Sequence, residues 1–300
     1  MRRHFIVGFL FFAAILAWNL WHHELWRDEL QAWAISRAAG GLSELFRNLE
    51  FEGHPGLWHL ILYPITRFTG EPGLGLKTTQ FVFALGYLAL LWFRSPFSLL
   101  EKSLISGSYT LSYLYGAVSR CYAPGIFLCF LFLAYPQRIA RRPWVGWLLL
   151  GLLANTHFFL AVLSFFLAIL WLSLEPEPRR LLRGAWIYVV LSAVAALTVL
   201  RPNTIDGRGR FGWQDDFSLV RLGVKFSGVG NAFLPVGGIF SHNIDDPVLP
   251  LRVGFFTGLL VLTCVGVLLW KQKGALATYF GFVSCLMLFF WLRYGGLAWH

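Results

Sequence analysis

The sequence predicts an all-α, polytopic integral membrane protein with about nine or ten transmembrane helices. Three observations carry this. The 300 residues are 57% hydrophobic and only 13% charged, with a mean hydropathy of +0.61, which excludes an ordinary soluble domain. Apolar stretches long enough for the ~30 Å hydrocarbon core recur along the whole chain. Fourteen Trp and 29 Phe suit interfacial belts and lipid-facing surfaces. The formal charge of +10 needs no nucleic acid to explain it, because the surplus sits in short loops. Arg138, Arg141 and Arg142 share one, Arg179, Arg180 and Arg183 another, and Lys271 and Lys273 a third. That is the bias of cytoplasmic loops.

The elements follow in order. Arg2-Arg3 precede an apolar run, Phe5–Leu20, that resembles a signal peptide. No A-x-A-like site follows it, so an uncleaved first span with a cytoplasmic N-terminus is expected, a removed signal sequence being the alternative. A first external loop, 21–56, comes next. Segment 57–66, ten apolar residues with Pro64, is too short to cross and reads as a re-entrant or interfacial helix. Spans are then expected at 78–93, 102–118, 121–135, 144–156, 157–174, 184–200, 252–270 and 275–292, with a long external loop over 201–250. This gives about nine crossings, or about ten if 57–66 also crosses. The whole is expected to form a single transmembrane domain in a bacterial inner or cell membrane. RYGGLAWH follows the last span without a polar tail, the ending of a shortened chain or of a short family member. Cys121, Cys129, Cys264 and Cys285 fall in or beside apolar spans without CxxC spacing and read as core or lipid-facing residues.

The first external loop concentrates the chemistry. Residues 21–59 hold six acidic residues and four histidines. On a helix, Trp26, Leu30 and Trp33 fall within about 60° of one another, and Asp28 lies roughly opposite. Such a helix can lie flat on the bilayer with its Trp side down and Asp28 facing away from lipid. Gly40-Gly41 ends it. Ser43 can cap a second helix whose stripe is Leu42, Leu45, Phe46 and Leu49. The two frame a pocket closed by Glu52-Gly53-His54-Pro55. Asp28 has a structural alternative, pairing with Arg27 or another nearby cation, and Glu29 can favour a helix N-terminus. His22, His23 and His59 read as headgroup-level amphipathic residues. No HxxxH or HExxH spacing occurs, and the dinucleotide and P-loop patterns are absent, so no metal and no cofactor is predicted.

An apolar span, W-x-D-E, two amphipathic helices and then E-G-H-P-G-L-W entering a hydrophobic segment form an ordered set. It resembles the GT-C superfamily of membrane glycosyltransferases, in particular the protein mannosyltransferase and aminoarabinose transferase branch. Asp28-Glu29 and His54-Pro55 match the acidic motif and the His-Pro element of the family's first external loop. Ser119-Arg120-x-Tyr122, at an external helix end, is similar to its later Arg-containing element. The resemblance covers residues 1 to about 135, with the later spans matching in hydropathy only.

It implies a sugar on a polyprenyl phosphate as donor, and a hydroxyl on a glycan, lipid or protein as acceptor. Asp28, with Glu29, would be the catalytic carboxylate, taking the acceptor's proton, and a single displacement would invert the anomeric carbon. An arginine would hold the phosphate. Arg120 with Tyr122, and Arg293 with Tyr294, are favoured over Arg208 and Arg210, since each stands beside an aromatic residue where apolar helix meets the external face. An interfacial snorkel is the simpler role for any of them. Asp206-Gly207-Arg208-Gly209-Arg210 can order around an anion. Asp215-Asp216 and Asp245-Asp246 can hold a divalent cation. The competing function is a lipid or solute transporter or flippase, whose ionisable groups would lie inside the spans.

Overall fold

A computed structural model describes residues 2–49, 52–199, 219–233 and 249–293. Every regular element among them is helical. The chain divides into two compact units, Met1–Ala168 with Glu175–Arg201, and Ile169–Leu174 with Pro202–His300.

Apolar sequence and helix coincide along the first unit. The elements are α1 (Arg2–His22), α2 (Arg27–Ala38), α3 (Leu42–Asn48), α4 (Leu57–Phe68), α5 (Pro72–Arg94) and α6 (Leu99–Gly107). They are followed by α7 (Tyr122–Ala134), α8 (Pro136–Arg141), α9 (Pro143–Ala154), α10 (Phe158–Leu174), α11 (Pro178–Leu181) and α12 (Ala185–Val199). The core of this unit is α1 against α5, where Leu16 and Leu20 meet Ala84, Tyr87, Leu88 and Trp92. The two helices run antiparallel: the Phe9 and Phe93 rings lie 5.0 Å apart at one end, and Lys77 donates to the Trp21 carbonyl at the other.

This arrangement sorts charge. At one end Arg94 and Arg138 both lie 5.2 Å over Tyr135, and Lys102 donates to the Trp92 carbonyl. At the opposite end gather α2, α3, the N-terminus of α4 and the Asn155-Thr156-His157 turn, joined by the Leu57 amide donating to the Asn155 carbonyl.

Among the described residues, four helices are long and apolar enough to cross a membrane: Arg3–His22, Pro72–Arg94, Leu251–Leu269 and Lys273–Trp291. Four more apolar helices, α7, α9, α10 and α12, are 10–17 residues long and fall short of that length. Large apolar side chains such as Val7, Phe11, Val82 and Val189 point outward, a surface suited to lipid.

Two expected elements differ. The span expected over 102–118 is broken. α6 stops at Gly107, and a single π turn, Thr110–Leu114, leads into an irregular stretch. A broken helix frees carbonyls that apolar surroundings cannot satisfy, so neighbouring side chains supply the donors. Asn19 donates to the Ser112 carbonyl, Tyr87 to Leu111 and the buried Gln80 to Tyr115. Nothing in a hydropathy run shows such a break, because the freed carbonyls are met from other helices. Pro64, by contrast, sits inside α4 as expected, and α4 at 12 residues is too short to cross.

The second unit contains α13 (Leu219–Phe233), α14 (Leu249–Leu269) and α15 (Lys273–Arg293). The stretch expected as a long loop therefore holds a helix over 219–233. It packs backbone to backbone on α14: a Cβ on Gly230 would sit 1.9 Å from the Gly254 carbonyl oxygen, so only glycine fits there. Arg208, Arg210, the Asp215-Asp216 and Asp245-Asp246 pairs and Tyr294 lie outside the described residues, as does the side chain of Arg293.

Candidate functional site

The site is built on α2, and α2 does not lie flat with its Trp side to lipid. Ala32, Trp33 and Ser36 form its buried face, and Trp33 is only 4% exposed, packed with Ala32 against Trp58 and Leu62 of α4 and Leu76 of α5. Trp26 and Leu30 stay outward. The expected stripe is therefore divided: Trp26 precedes the helix in extended backbone, and a helical wheel carries no information on which neighbour takes which edge. Arg67 of α4 locks the helix's far end, donating to the carbonyls of Ser36 and Ala39, where α2 stops ahead of the glycine pair. In α3 the cap position is Gly41, with Ser43 inside the helix, so the expected Ser43 cap is not used. Glu44 instead accepts from the Gly40 amide.

Docking α2 on its buried face separates two adjacent carboxylates. Glu29, at the first turn, is fully buried. One of its oxygens accepts from the Trp26 amide (2.7 Å) and from His23 Nε2 (2.8 Å), and the other from the Ser119 amide (2.6 Å). His23 Nδ1 faces the Tyr113 hydroxyl at 3.3 Å. Glu29 thus fixes the turn before α7 to the start of α2, and it does not line the cleft. Asp28, one residue earlier, projects outward with its side chain 57% exposed. It pairs with Arg120, the residue after Ser119, at 3.3 Å between Oδ2 and Nη1.

Asp28 and Arg120 stand at a cleft of about 220 Å³, lined also by Gln31, Glu52, His54, Pro55, Trp58, His59 and Cys121. The structure therefore brings Asp28, His54 and Arg120 to one place. Gly53, at φ +69, turns the chain so that His54-Pro55 enters it. Behind the lining runs a stack of rings. The His54 and His157 ring centroids are 4.9 Å apart, His157 and Tyr122 4.9 Å, and Tyr122 and Tyr115 4.8 Å. The Arg120 guanidinium lies 5.7 Å from the Tyr122 centroid. His157 Nδ1 accepts from the Phe159 amide, so the ring's proton is on Nε2, which faces the Tyr122 hydroxyl at 3.4 Å.

Several participants were not singled out from sequence. His23 and His59 are buried, not at headgroup level, whereas His22 is exposed and stacks on Trp18. His157 belongs to the Asn155-Thr156-His157 turn between α9 and α10. Trp58 and His59 follow His54-Pro55 after Gly56 and Leu57, in the first turn of α4, so a helix entering from that element was the available signal for them. Among the described residues, no group of three or more His, Cys, Asp or Glu is arranged to hold a metal ion.

No family model, curated protein or solved structure matches this chain.

Proposed function

We propose that the protein is a GT-C-like inverting glycosyltransferase, moving a sugar from a polyprenyl phosphate to a hydroxyl acceptor at the external membrane face. The observation that carries this is the meeting of an exposed carboxylate, Asp28, with a guanidinium, Arg120, in a cleft also lined by His54, at the end of a bundle of apolar helices. A partly exposed pair of this kind contributes little to stability. Its value lies in being exchangeable.

A donor phosphate entering the cleft competes with Asp28 for Arg120, whose planar fork suits a phosphate. Asp28, released from the pair, takes the proton of the acceptor hydroxyl. The acceptor oxygen bonds to the anomeric carbon from the face opposite the phosphate. The bond from that carbon to the phosphate oxygen breaks with its electron pair, and polyprenyl phosphate leaves on Arg120. One displacement inverts the anomeric configuration. Glu29 touches neither partner in this scheme: it is a positioning residue, holding Ser119 and hence Arg120 opposite Asp28. Arg293 and Tyr294 remain proposed substrate contacts from their place in the sequence alone, at the external end of the last apolar segment.

In the same reading the chain crosses the membrane about nine or ten times, the shorter apolar helices spanning with their flanking turns. The Arg94, Lys102 and Arg138 end is cytoplasmic and the cleft external. Among the described residues the eight apolar helices carry no Asp or Glu, which weighs against an ion-coupled transporter.

Incubating the purified protein with a radiolabelled polyprenyl-phosphate sugar and a panel of glycan, lipid and peptide acceptors tests the proposal. The expected result is a glycoside of inverted anomeric configuration. Retained configuration, or substrate-dependent flux in liposomes without any transfer, contradicts it.

A further inference from the structure

The cleft has two chemically different parts. Its mouth is charged and wet, set by Asp28 and Arg120. Its floor is the first turn of α4, where Trp58 and His59 are each only 3% exposed and line the cleft. Neither ring nitrogen of His59 has a hydrogen-bond partner among the described residues, and the Trp58 indole N–H has no acceptor there. Buried polar atoms without partners cost free energy, on the order of 1–3 kcal/mol each, so unused groups at a cleft floor point to a ligand that supplies what is missing.

The type of ligand follows from the groups. A neutral imidazole presents one donor and one acceptor, and an indole presents an apolar face with a donor at its edge. Burial, then His54, pushes His59 down to about 4, so it stays neutral at pH 7 and offers no charge to a phosphate. The same desolvation that resists a proton on His59 resists an ammonium beside it. Hydroxyl groups on a ring with apolar faces can meet all three atoms at once, donating to one imidazole nitrogen and accepting from the other and from the indole; a deprotonated phosphate cannot donate and an ammonium cannot accept.

We infer that Trp58 and His59 form a subsite for an uncharged sugar ring, seated on the cleft floor while the attached phosphate stays at the mouth with Arg120. This rests on the transferase reading and assigns it a substrate class: neutral sugars rather than amino sugars. His59 is the specificity-determining residue, since its paired donor and acceptor read adjacent hydroxyls.

The test measures binding of three probes to the full-length protein in nanodiscs: decaprenyl phosphate, decaprenyl-phosphate mannose and decaprenyl-phosphate aminoarabinose. Octyl mannoside serves as a phosphate-free control. The mannosyl carrier is expected to bind about tenfold more tightly than bare decaprenyl phosphate, the worth of one or two well-placed hydrogen bonds. His59→Phe is expected to erase that difference and leave the bare carrier's affinity unchanged. His59→Gln, which keeps a donor and an acceptor, should retain part of it. Trp58→Phe removes the indole N–H and some ring surface while keeping an aromatic face, and should lose part, which keeps the inference testable if His59→Phe does not fold. An undiminished mannose increment in His59→Phe, or tighter binding of the aminoarabinosyl carrier, overturns the subsite and leaves the transferase reading standing. Binding of octyl mannoside that depends on His59, with no carrier bound, keeps the subsite and removes the lipid-phosphate donor. No binding of any probe removes both.

Discussion

Asp28 and Glu29 are neighbours in sequence and opposites in circumstance. The mouth of the cleft keeps Asp28 half in solvent, with one guanidinium partner at 3.3 Å. The seam beneath it encloses Glu29 completely, with donors from Trp26, Ser119 and His23. A single 100° step on α2 sends one carboxylate to a place where partners can be exchanged and the other to a place where they cannot. The difference separates two jobs that the acidic motif blends together. A carboxylate that must take and release a proton needs an exchangeable partner; one that holds the backbone needs none.

Glu29→Ala should give the strongest effect on the folded state, because it strands His23 and two backbone amides in a buried seam. A loss of about 3–5 kcal/mol is expected, read as a lowered unfolding midpoint in detergent. Glu29→Gln, whose single carbonyl oxygen can still accept on one side of the seam while its NH2 faces a donor on the other, should lose less. Native-like unfolding of Glu29→Ala would mean that the seam does not hold the turn before α7.

Trp33→Ala is expected to cost about 3–5 kcal/mol as a large buried side chain. Leu30→Ala, on the outward face of the same helix, should stay within about 0.5 kcal/mol. Equal costs at the two positions would return α2 to a surface-lying helix.

Arg120→Ala should leave stability within about 1 kcal/mol, as for other partly exposed pairs. It should weaken binding of decaprenyl phosphate roughly 10- to 100-fold, the loss of a charge-assisted contact. Unchanged carrier affinity would remove Arg120 from phosphate binding.

The gentlest probe is pH. His59 is neutral in the fold, with its pKa pushed down to about 4 from an ordinary 6.5, so the unfolded chain takes up the proton first. Its contribution to stability is complete above pH 6.5 and is lost as pH falls from 6.5 towards 4. His59→Gln should flatten that part of the stability profile; an identical slope would show that His59 titrates as in the unfolded chain.

Hydropathy alone placed the long helices, since crossing an apolar layer leaves a run of sequence that few other structures share. α1, α5, α14 and α15 were readable in this way, and α4 was readable as too short. The convergence of Asp28, His54 and Arg120 was also foreshadowed, because loop bookkeeping put all three on one face. What sequence withheld was directional. Whether Trp33 or Leu30 faces the protein depends on where α4 and α5 stand. The burial of Glu29 depends on an amide 90 residues away, at Ser119. The break at 107–118 depends on donors from α1 and α5. The floor of the cleft was hidden for the same reason: Trp58 and His59 look like any interfacial aromatic pair until the cleft is assembled around them.

The most direct test compares the native protein with Asp28→Asn in transfer from a radiolabelled polyprenyl-phosphate sugar, with unfolding midpoints recorded alongside. The substitution keeps the shape of the side chain and removes the base. The account predicts transfer reduced by roughly 10²- to 10⁴-fold with donor binding retained and the midpoint little changed. Equal transfer by both proteins would contradict it.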